Sequence, residues 1–136
     1  MILAVCVDPA GGIRFHHRRQ SRDRAVTADL LALCGTAALW VQPQSAALFA
    51  AAPQLRVAED CLLCAGEGEF CFWEDVLPPE AAPRVRGLVR YRWSRRYPAD
   101  TVFRFDPEAA GLRLKSRLEL AGYSHQTILR EVYGYG

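Results

Sequence analysis

Arginine is concentrated in one segment near the N-terminus, and its planar guanidinium group suits two-point contacts with phosphate or carboxylate. The segment 14–24 contains five arginines and two histidines but only one acid, Asp23. It follows the first apolar run and precedes the first helical pattern, where open α/β sheets place ligands. We therefore expect an anionic small molecule such as a nucleotide to bind through Arg14, Arg18, Arg19 and Arg22. The alternative is a solvated loop whose arginines pair with surface acids.

Carboxylates near strand and helix ends are the next candidates, because a half-buried acid with a raised pKa can donate or accept a proton. Asp8 ends the first strand, Asp23 and Asp29 flank the start of the first helix, and Asp100 follows a pair of arginines. Asp23 is also well placed to cap that helix. We add Asp100 and His125 to the residues expected to bind the ligand.

A second arginine-rich segment, 84–96, contains six arginines and no acid, with aromatic residues between them. Basic residues that alternate with aromatics are typical of surfaces that stack bases and neutralise phosphates. Single-stranded nucleic acid is therefore an alternative partner, through Arg90, Tyr91, Arg92 and Trp93. The same alternation is typical of a half-buried strand whose aromatics enter the core while its arginines face water, and we favour that interpretation.

Cysteine and histidine spacing gives little support for a metal site. Cys61 and Cys64, with Cys71 nearby, have a two-residue gap, but no second pair follows and the intervening leucines belong to an apolar helix. In such a helix free cysteine is a small buried hydrophobe. The histidines form no metal-binding motif, so we expect no bound metal. No local motif marks a nucleophile, which leaves open a catalytic triad assembled in space.

The elements that must position these residues follow from the hydrophobic pattern. An apolar run predicts a buried first strand, followed by a long polar loop, 9–24, and a helix that Gly35 closes. Further strand–helix units predict parallel crossovers in the first half, and strands joined by turns predict a largely antiparallel last third. The predicted strands are 2–8, 37–41, 55–57, 70–73, 88–93, 102–105, 112–120 and 128–133, and the predicted helices are 26–34, 43–52 and 59–65.

Length and composition indicate one folded domain spanning residues 1–136, since no repeat, low-complexity tract or linker divides the chain. With 51% hydrophobic and 24% charged residues, the composition excludes a disordered chain. The net charge of +2 is too small to indicate nucleic-acid binding, although sixteen arginines accompany a single lysine. No apolar run is long enough for a membrane span or an export signal. We expect a cytoplasmic protein with reduced cysteines and no membrane partner.

The order of these features resembles dihydrofolate reductase. The resemblance is carried by an apolar strand ending at Asp8, a glycine-containing loop, the helical run Ala28-Asp29-Leu30, a strand–helix unit at 39–49, and the late run 100–103. It implies a mixed α/β sheet of the dihydrofolate reductase type, and a reductase-type enzyme as an alternative function. In that family an acid on the first helix contacts the pterin and supports its protonation. The resemblance therefore implies Asp29 as the catalytic residue, with Asp23 as the competing alignment.

The sequence departs from that family at the cofactor site. The family's Gly-Arg-x-Thr run, which binds the phosphates of NADPH, is matched here by Gln-Pro-Gln-Ser at 42–45. The family's later Gly-Gly turn is matched by Gly-Glu-Gly at 66–68, which places an acid where phosphate would lie. We therefore predict no cofactor.

Two further segments, 18–23 and 124–128, resemble a family of short bacterial proteins that is sometimes labelled ribonuclease Z. That label requires a His-x-His-x-Asp-His metal cluster. The sequence contains no such cluster, so this resemblance implies neither a metal nor that chemistry.

Overall fold

A seven-stranded sheet runs through the computed structural model, which describes residues 1–135. The strands are β1 (Ile2–Val7), β2 (Gly12–Phe15), β3 (Arg18–Arg19), β4 (Leu39–Val41), β5 (Leu55–Val57), β6 (Phe70–Phe72), β7 (Gly87–Trp93), β8 (Thr101–Val102), β9 (Arg113–Ala121) and β10 (Thr127–Gly134). The helices are α1 (Arg24–Cys34), α2 (Cys61–Cys64) and two 3-10 helices, Pro43–Phe49 and Ala82–Arg84. None of the helices in this range is long and apolar enough to cross a membrane.

The large sheet is mixed, in the order β5-β4-β6-β1-β7-β10-β9. β1 lies near its centre and pairs in parallel with β6 and β7, while β10 and β9 add to β7 as antiparallel strands. A separate antiparallel sheet has the order β3-β2-β8. These pairings confirm the predicted α/β class, with parallel units in the N-terminal half and antiparallel strands at the C-terminus. They also show that β7, the first strand of the last third, is parallel to its neighbour β1.

Two apolar cores lie on opposite faces of the large sheet, because side chains alternate along each strand. Along β1, Leu3, Val5 and Val7 belong to one core and Ala4 to the other. The first core is covered by α2 and by the small sheet, which contributes Ile13. The second core is covered by α1 and by the first 3-10 helix, whose contributions are Val26, Leu30 and Phe49. A surface groove opens at the edge of this second core, next to Leu48.

The segment predicted as one long loop, 9–24, contains a β-hairpin, so that prediction was wrong. β2 and β3 pair antiparallel through Arg14 with Arg19 and Phe15 with Arg18. The two residues at the tip, His16 and His17, have φ of 50° and 61°. A type I′ hairpin turn requires this left-handed geometry and usually takes asparagine or glycine. Two histidines carry no such signal in the sequence.

Two other elements differ from their predictions. The helix predicted at 43–52 is the 3-10 helix Pro43–Phe49, and the left-handed residues Ala50 and Ala51, with φ of 48° and 55°, follow it. The strand predicted at 102–105 is reduced to β8, which pairs with β2 rather than joining the large sheet.

Candidate functional site

A surface groove of about 550 Å³ lies between the N-terminus of α1, the first 3-10 helix and the turn that joins β9 to β10. Its walls include Arg22, Arg24 and Thr27 on the α1 side, Leu48 on the 3-10 helix and Tyr123 on the turn. A volume of this size falls within the range of small-molecule sites, about 300–1,000 Å³. The groove is therefore large enough to hold a nucleotide-sized ligand.

A second, much smaller cavity of about 10 Å³ lies behind the groove. Cys6, Glu74 and Trp93, at or just beyond the carboxyl ends of β1, β6 and β7, line it together with Ser21. This is the sheet edge at which open α/β folds bind ligands. The cavity has room for about one water molecule. Arg22, Asp23, Thr27 and Leu48 line both spaces, so the cavity lies next to the groove.

Asp23 joins α1 to the turn between β9 and β10. Its carboxylate caps α1 by accepting from the Ala25 amide at 2.8 Å. The amides of Tyr123, Ser124 and His125 donate to the same carboxylate at 3.0, 2.9 and 3.2 Å. The Ser124 hydroxyl donates to it as well, at 3.1 Å. The Asp23 side chain is 0% exposed, so this capping residue also fixes one wall of the groove.

Two of the acids considered as proton donors or acceptors, Asp8 and Asp23, have lowered pKa values. Burial alone would raise the pKa of Asp23, but hydrogen bonds from His125 and from nearby backbone amides outweigh burial and lower it. Burial would likewise raise the pKa of Asp8, but the amides of Gly12 and Tyr97 contribute hydrogen bonds that lower it. Neither residue therefore has the raised pKa of a general acid, and both are anions at neutral pH.

The His125 ring makes polar contacts through both nitrogens and stacks on an aromatic ring. Its Nδ1 lies 3.0 Å from Oδ2 of Asp23, and its Nε2 lies 3.1 Å from the Ser21 hydroxyl and 2.8 Å from the Tyr97 hydroxyl. The ring stacks on Trp93 with centroids 4.5 Å apart, and the side chain is only 4% exposed. Ser21, His125 and Asp23 thus have the spacing of a nucleophile, a base and an orienting acid. His125 and Asp23 were predicted as site residues from the sequence, whereas Ser21 and Tyr97 were not.

Acids at the end of β6 hold two of the arginines that were expected to bind the ligand. Arg19 donates through Nε and Nη2 to the two carboxylate oxygens of Glu74, at 2.8 and 2.9 Å. Nη1 of Arg14 lies 3.5 Å from Oδ2 of Asp75, and Nη2 of Arg14 donates to the backbone carbonyl of His17. Ion pairs of Arg14 and Arg19 therefore connect the hairpin to the edge of the large sheet and occupy both guanidinium groups.

Arg22 and Arg24 are the arginines that line the groove. Cζ of Arg24 lies 5.1 Å from the ring centroid of Tyr123, within the range of a cation–π contact. Tyr123 is 73% exposed, so most of its surface remains free. Of the four arginines in the predicted anion site, Arg22 alone lines the groove, whereas Arg18 is exposed on the hairpin.

The remaining predicted acids lie apart from the groove. Asp29 accepts a hydrogen bond from the Tyr91 hydroxyl at 2.6 Å and from Nη1 of Arg130 at 2.9 Å. It therefore ties α1 to β7 and β10. Asp100 accepts from the backbone amide of His16 at 3.1 Å, which holds the hairpin tip.

The aromatic residues proposed to stack nucleic-acid bases are in the core. Tyr91 is 0% exposed and Trp93 is 2% exposed, so neither ring presents a face to solvent. Nε of Arg90 and Nε of Arg92 donate to Oε1 of Glu131 at 3.0 and 2.8 Å. The structure of β7 therefore agrees with the half-buried strand that the alternation of residues favours.

The cysteines near α2 form a thiol pair in the first core. The sulfur atoms of Cys61 and Cys71 lie 3.5 Å apart, and both residues are 0% exposed. Cys64 donates to the carboxylate of Asp60 at 3.3 Å. Within residues 1–135, no group of three or more His, Cys, Asp or Glu side chains could hold a metal ion.

The fold, unlike the sequence, has known counterparts. No family model matches the sequence, and no curated protein matches it. Among solved structures, dihydrofolate reductase from Enterococcus faecalis, complexed with NADP(H) and RAB-propyl, aligns with a TM-score of 0.64 over 98% of this chain and 95% of that chain. The two sequences are 12% identical. The protein therefore has a dihydrofolate reductase-like fold, as the order of its sequence features predicts.

The strand ends near the groove do not fit the phosphates of NADPH, the cofactor that this fold implies. The residues after β4 include Pro43, which has no amide hydrogen, and Ser45, whose hydroxyl already donates to Glu74 at 2.6 Å. β6 continues into Trp73, Glu74 and Asp75, which bring two carboxylates and no glycine to this edge. Close approach of phosphate to backbone needs glycine and amide donors.

Proposed function

We propose that the protein binds an anionic small molecule with a planar ring, such as a nucleotide, in the groove between α1, the first 3-10 helix and the β9–β10 turn. The observation that carries the proposal is the meeting of Arg22, Arg24 and the exposed ring of Tyr123 along one groove. The ligand class is the one expected from the sequence. The arginines assigned to the ligand are not all those predicted, because Arg14 and Arg19 form ion pairs with acids.

The charges around the groove favour an anion. None of the ion pairs within residues 1–135 involves Arg22 or Arg24. Asp23, the one acid among the described lining residues, is 0% exposed and is compensated by His125 and by backbone amides. The field inside the groove therefore comes mainly from two guanidinium groups, which suit phosphate or carboxylate oxygens.

The exposed ring of Tyr123 supports a ligand that also contains a planar group. A heterocycle can stack on a tyrosine face, and such stacking stabilises binding by about 1–3 kcal/mol per base. Arg24 lies 5.1 Å from the centroid of the same ring. A nucleotide whose base contacts Tyr123 would therefore bring its phosphate within reach of the guanidinium groups.

The test is a thermal-shift screen with AMP, ribose phosphate, NADPH and folate, followed by calorimetric titration of each ligand that raises the melting temperature. We expect AMP to raise it, and the double variant Arg22→Gln/Arg24→Gln to weaken AMP binding by about tenfold or more, because charge-assisted hydrogen bonds are lost. Arg18→Gln is the matched control and should bind AMP like the unaltered protein. Equal affinity in the double variant and the control would overturn the proposal.

A reductase-type enzyme is the second candidate, and the shared fold is the observation that favours it. The acid implied for that chemistry, Asp29, is engaged by Tyr91 and Arg130. The same screen separates the two candidates. A melting-temperature rise with NADPH or folate, but not with AMP, would favour the reductase.

A further inference from the structure

We propose that Ser21 is a nucleophile activated by His125 and Asp23, and that the protein hydrolyses a small ester of an anionic compound bound in the groove. The inference adds a reaction to the proposed function and rests on it, because the groove is the route by which the substrate reaches Ser21. It starts from Ser21 and Asp23, two residues apart in the sequence, and from His125, 104 residues beyond Ser21, whose side chains meet behind the groove.

The three groups have the mutual geometry that nucleophile activation requires. The Ser21 hydroxyl lies 3.1 Å from Nε2 of His125, and Nδ1 of the same ring lies 3.0 Å from Oδ2 of Asp23. With the Nδ1 proton directed to the carboxylate, Nε2 presents its lone pair to the hydroxyl. Stacking on Trp93 fixes the plane of the ring. The base is therefore oriented before any substrate binds.

Ser21 also faces the space through which a substrate would arrive. Its side chain lines the inner cavity, and Arg22, Thr27 and Leu48 line both that cavity and the groove. The cavity itself, about 10 Å³, admits little more than a water molecule. The proposal requires Leu48, which lines both spaces, to change rotamer and join them, and the site would then admit a small acyl group attached to a larger anionic body.

The reaction balances with water as the only co-reactant. His125 accepts the Ser21 proton as Oγ attacks the ester carbonyl carbon, and the negative charge that develops on oxygen is stabilised by the nearby Arg22 guanidinium. The C–O bond to the alcohol breaks, and the alcohol takes the proton from His125. Water then gives a proton to His125 and attacks the acyl-serine, which releases the carboxylic acid and returns the proton to Ser21.

The Tyr97 hydroxyl allows a test that distinguishes an activated serine from a purely structural hydrogen-bond network. Its hydroxyl lies 2.8 Å from the same Nε2 and competes with Ser21 for the single lone pair. Removing that hydroxyl by Tyr97→Phe leaves Ser21 as the only hydroxyl donor to Nε2 among these contacts. The proposal therefore expects Ser21 to react faster in Tyr97→Phe, by at least about twofold, whereas a structural network predicts no gain.

The experiment is covalent labelling of the folded protein with a small fluorophosphonate probe, followed by mass-spectrometric assignment of the modified peptide. In that reaction the Ser21 oxygen forms a bond to phosphorus, fluoride leaves and His125 accepts the proton. We expect one label per chain at Ser21, its loss in Ser21→Ala, and a rate about a hundredfold lower in His125→Gln. Leu48→Ala should label faster because it widens the entrance.

Ser94→Ala is the matched control, since Ser94 is an exposed serine just beyond β7, and it should label like the unaltered protein. Label spread over several exposed serines, no label at Ser21, or no gain in Tyr97→Phe would each overturn the proposal. Binding of AMP is scored separately. Labelling at Ser21 in a protein that does not bind AMP would support the nucleophile while overturning the proposed ligand.

Discussion

At the scale of single residues, the carboxylate of Asp23 determines how the groove is built. It caps α1 through Ala25 and receives three successive amides of the β9–β10 turn. The turn approaches so closely that a Cβ atom on Gly122 would lie 2.2 Å from the His125 carbonyl oxygen. Only glycine fits there without moving backbone. One buried acid and one glycine thus hold Ser124, Tyr123 and His125 against the helix.

Stability should fall in acid because of Asp23. Its pKa is lowered in the folded protein, so its contribution is present above the unfolded pKa of about 3.9 and is lost as pH falls toward the folded pKa. Urea denaturation should show a midpoint that declines from about pH 5 downward. Asp23→Asn should make this decline shallower. Asp75→Asn, at a 48% exposed carboxyl, should keep it, and equal slopes in the two variants would contradict this role.

The site could be predicted from the sequence only where its signals are local. Asp23 before a helical pattern indicated an N-cap, and the arginines of 14–24 indicated an anion site. Glu74, which takes Arg19 out of that site, lies 55 residues further along the chain, and His125 lies 104 residues from Ser21. Such partners are chosen by the tertiary fold, and no spacing in one sequence reports them.

At the scale of elements, α1 separates two polar networks. Its N-terminus borders the groove, whereas Asp29 on the same helix binds Tyr91 of β7 and Arg130 of β10. The second network joins the helix to the antiparallel part of the sheet. Asp23 and Asp29, predicted from the sequence as alternative catalytic residues, therefore connect α1 to different parts of the fold.

Asp29→Ala should lower the free energy of unfolding by about 2 kcal/mol, because it removes hydrogen bonds to a charged group. It should leave AMP affinity unchanged, since Asp29 does not line the groove. Urea denaturation and calorimetric titration of the same sample measure the two quantities. A large loss of ligand affinity with unchanged stability would instead favour Asp29 as a functional acid, as the reductase alternative requires.

Element types were predictable where hydrophobic periodicity was strong. The run Ile2–Val7 and the alternation around Tyr91 predicted a buried strand and a half-buried strand, as found. The hairpin was missed because His16 and His17 adopt left-handed geometry without glycine or asparagine. Its tip is held by Asp100, a residue 84 positions away. Long-range contacts thus override local propensity in this segment.

At the scale of the whole molecule, the protein has a dihydrofolate reductase-like fold, with a proline and two acids at the strand ends near the groove. The structural match covers 98% of the chain at 12% identity. The carboxyl edge of the sheet has Glu74 and Asp75 beyond β6, and two arginines lie beside the start of α1. Function resides in such sites rather than in the fold that carries them.

The most direct test of the groove is an AMP titration followed by proton–nitrogen correlation spectra of the labelled protein. We expect saturable amide shifts confined to three segments, 21–27, 47–50 and 122–125, and their loss in Arg22→Gln/Arg24→Gln. Shifts centred on the hairpin at 14–19 or on the β7 face, or no saturable shifts at all, would contradict it.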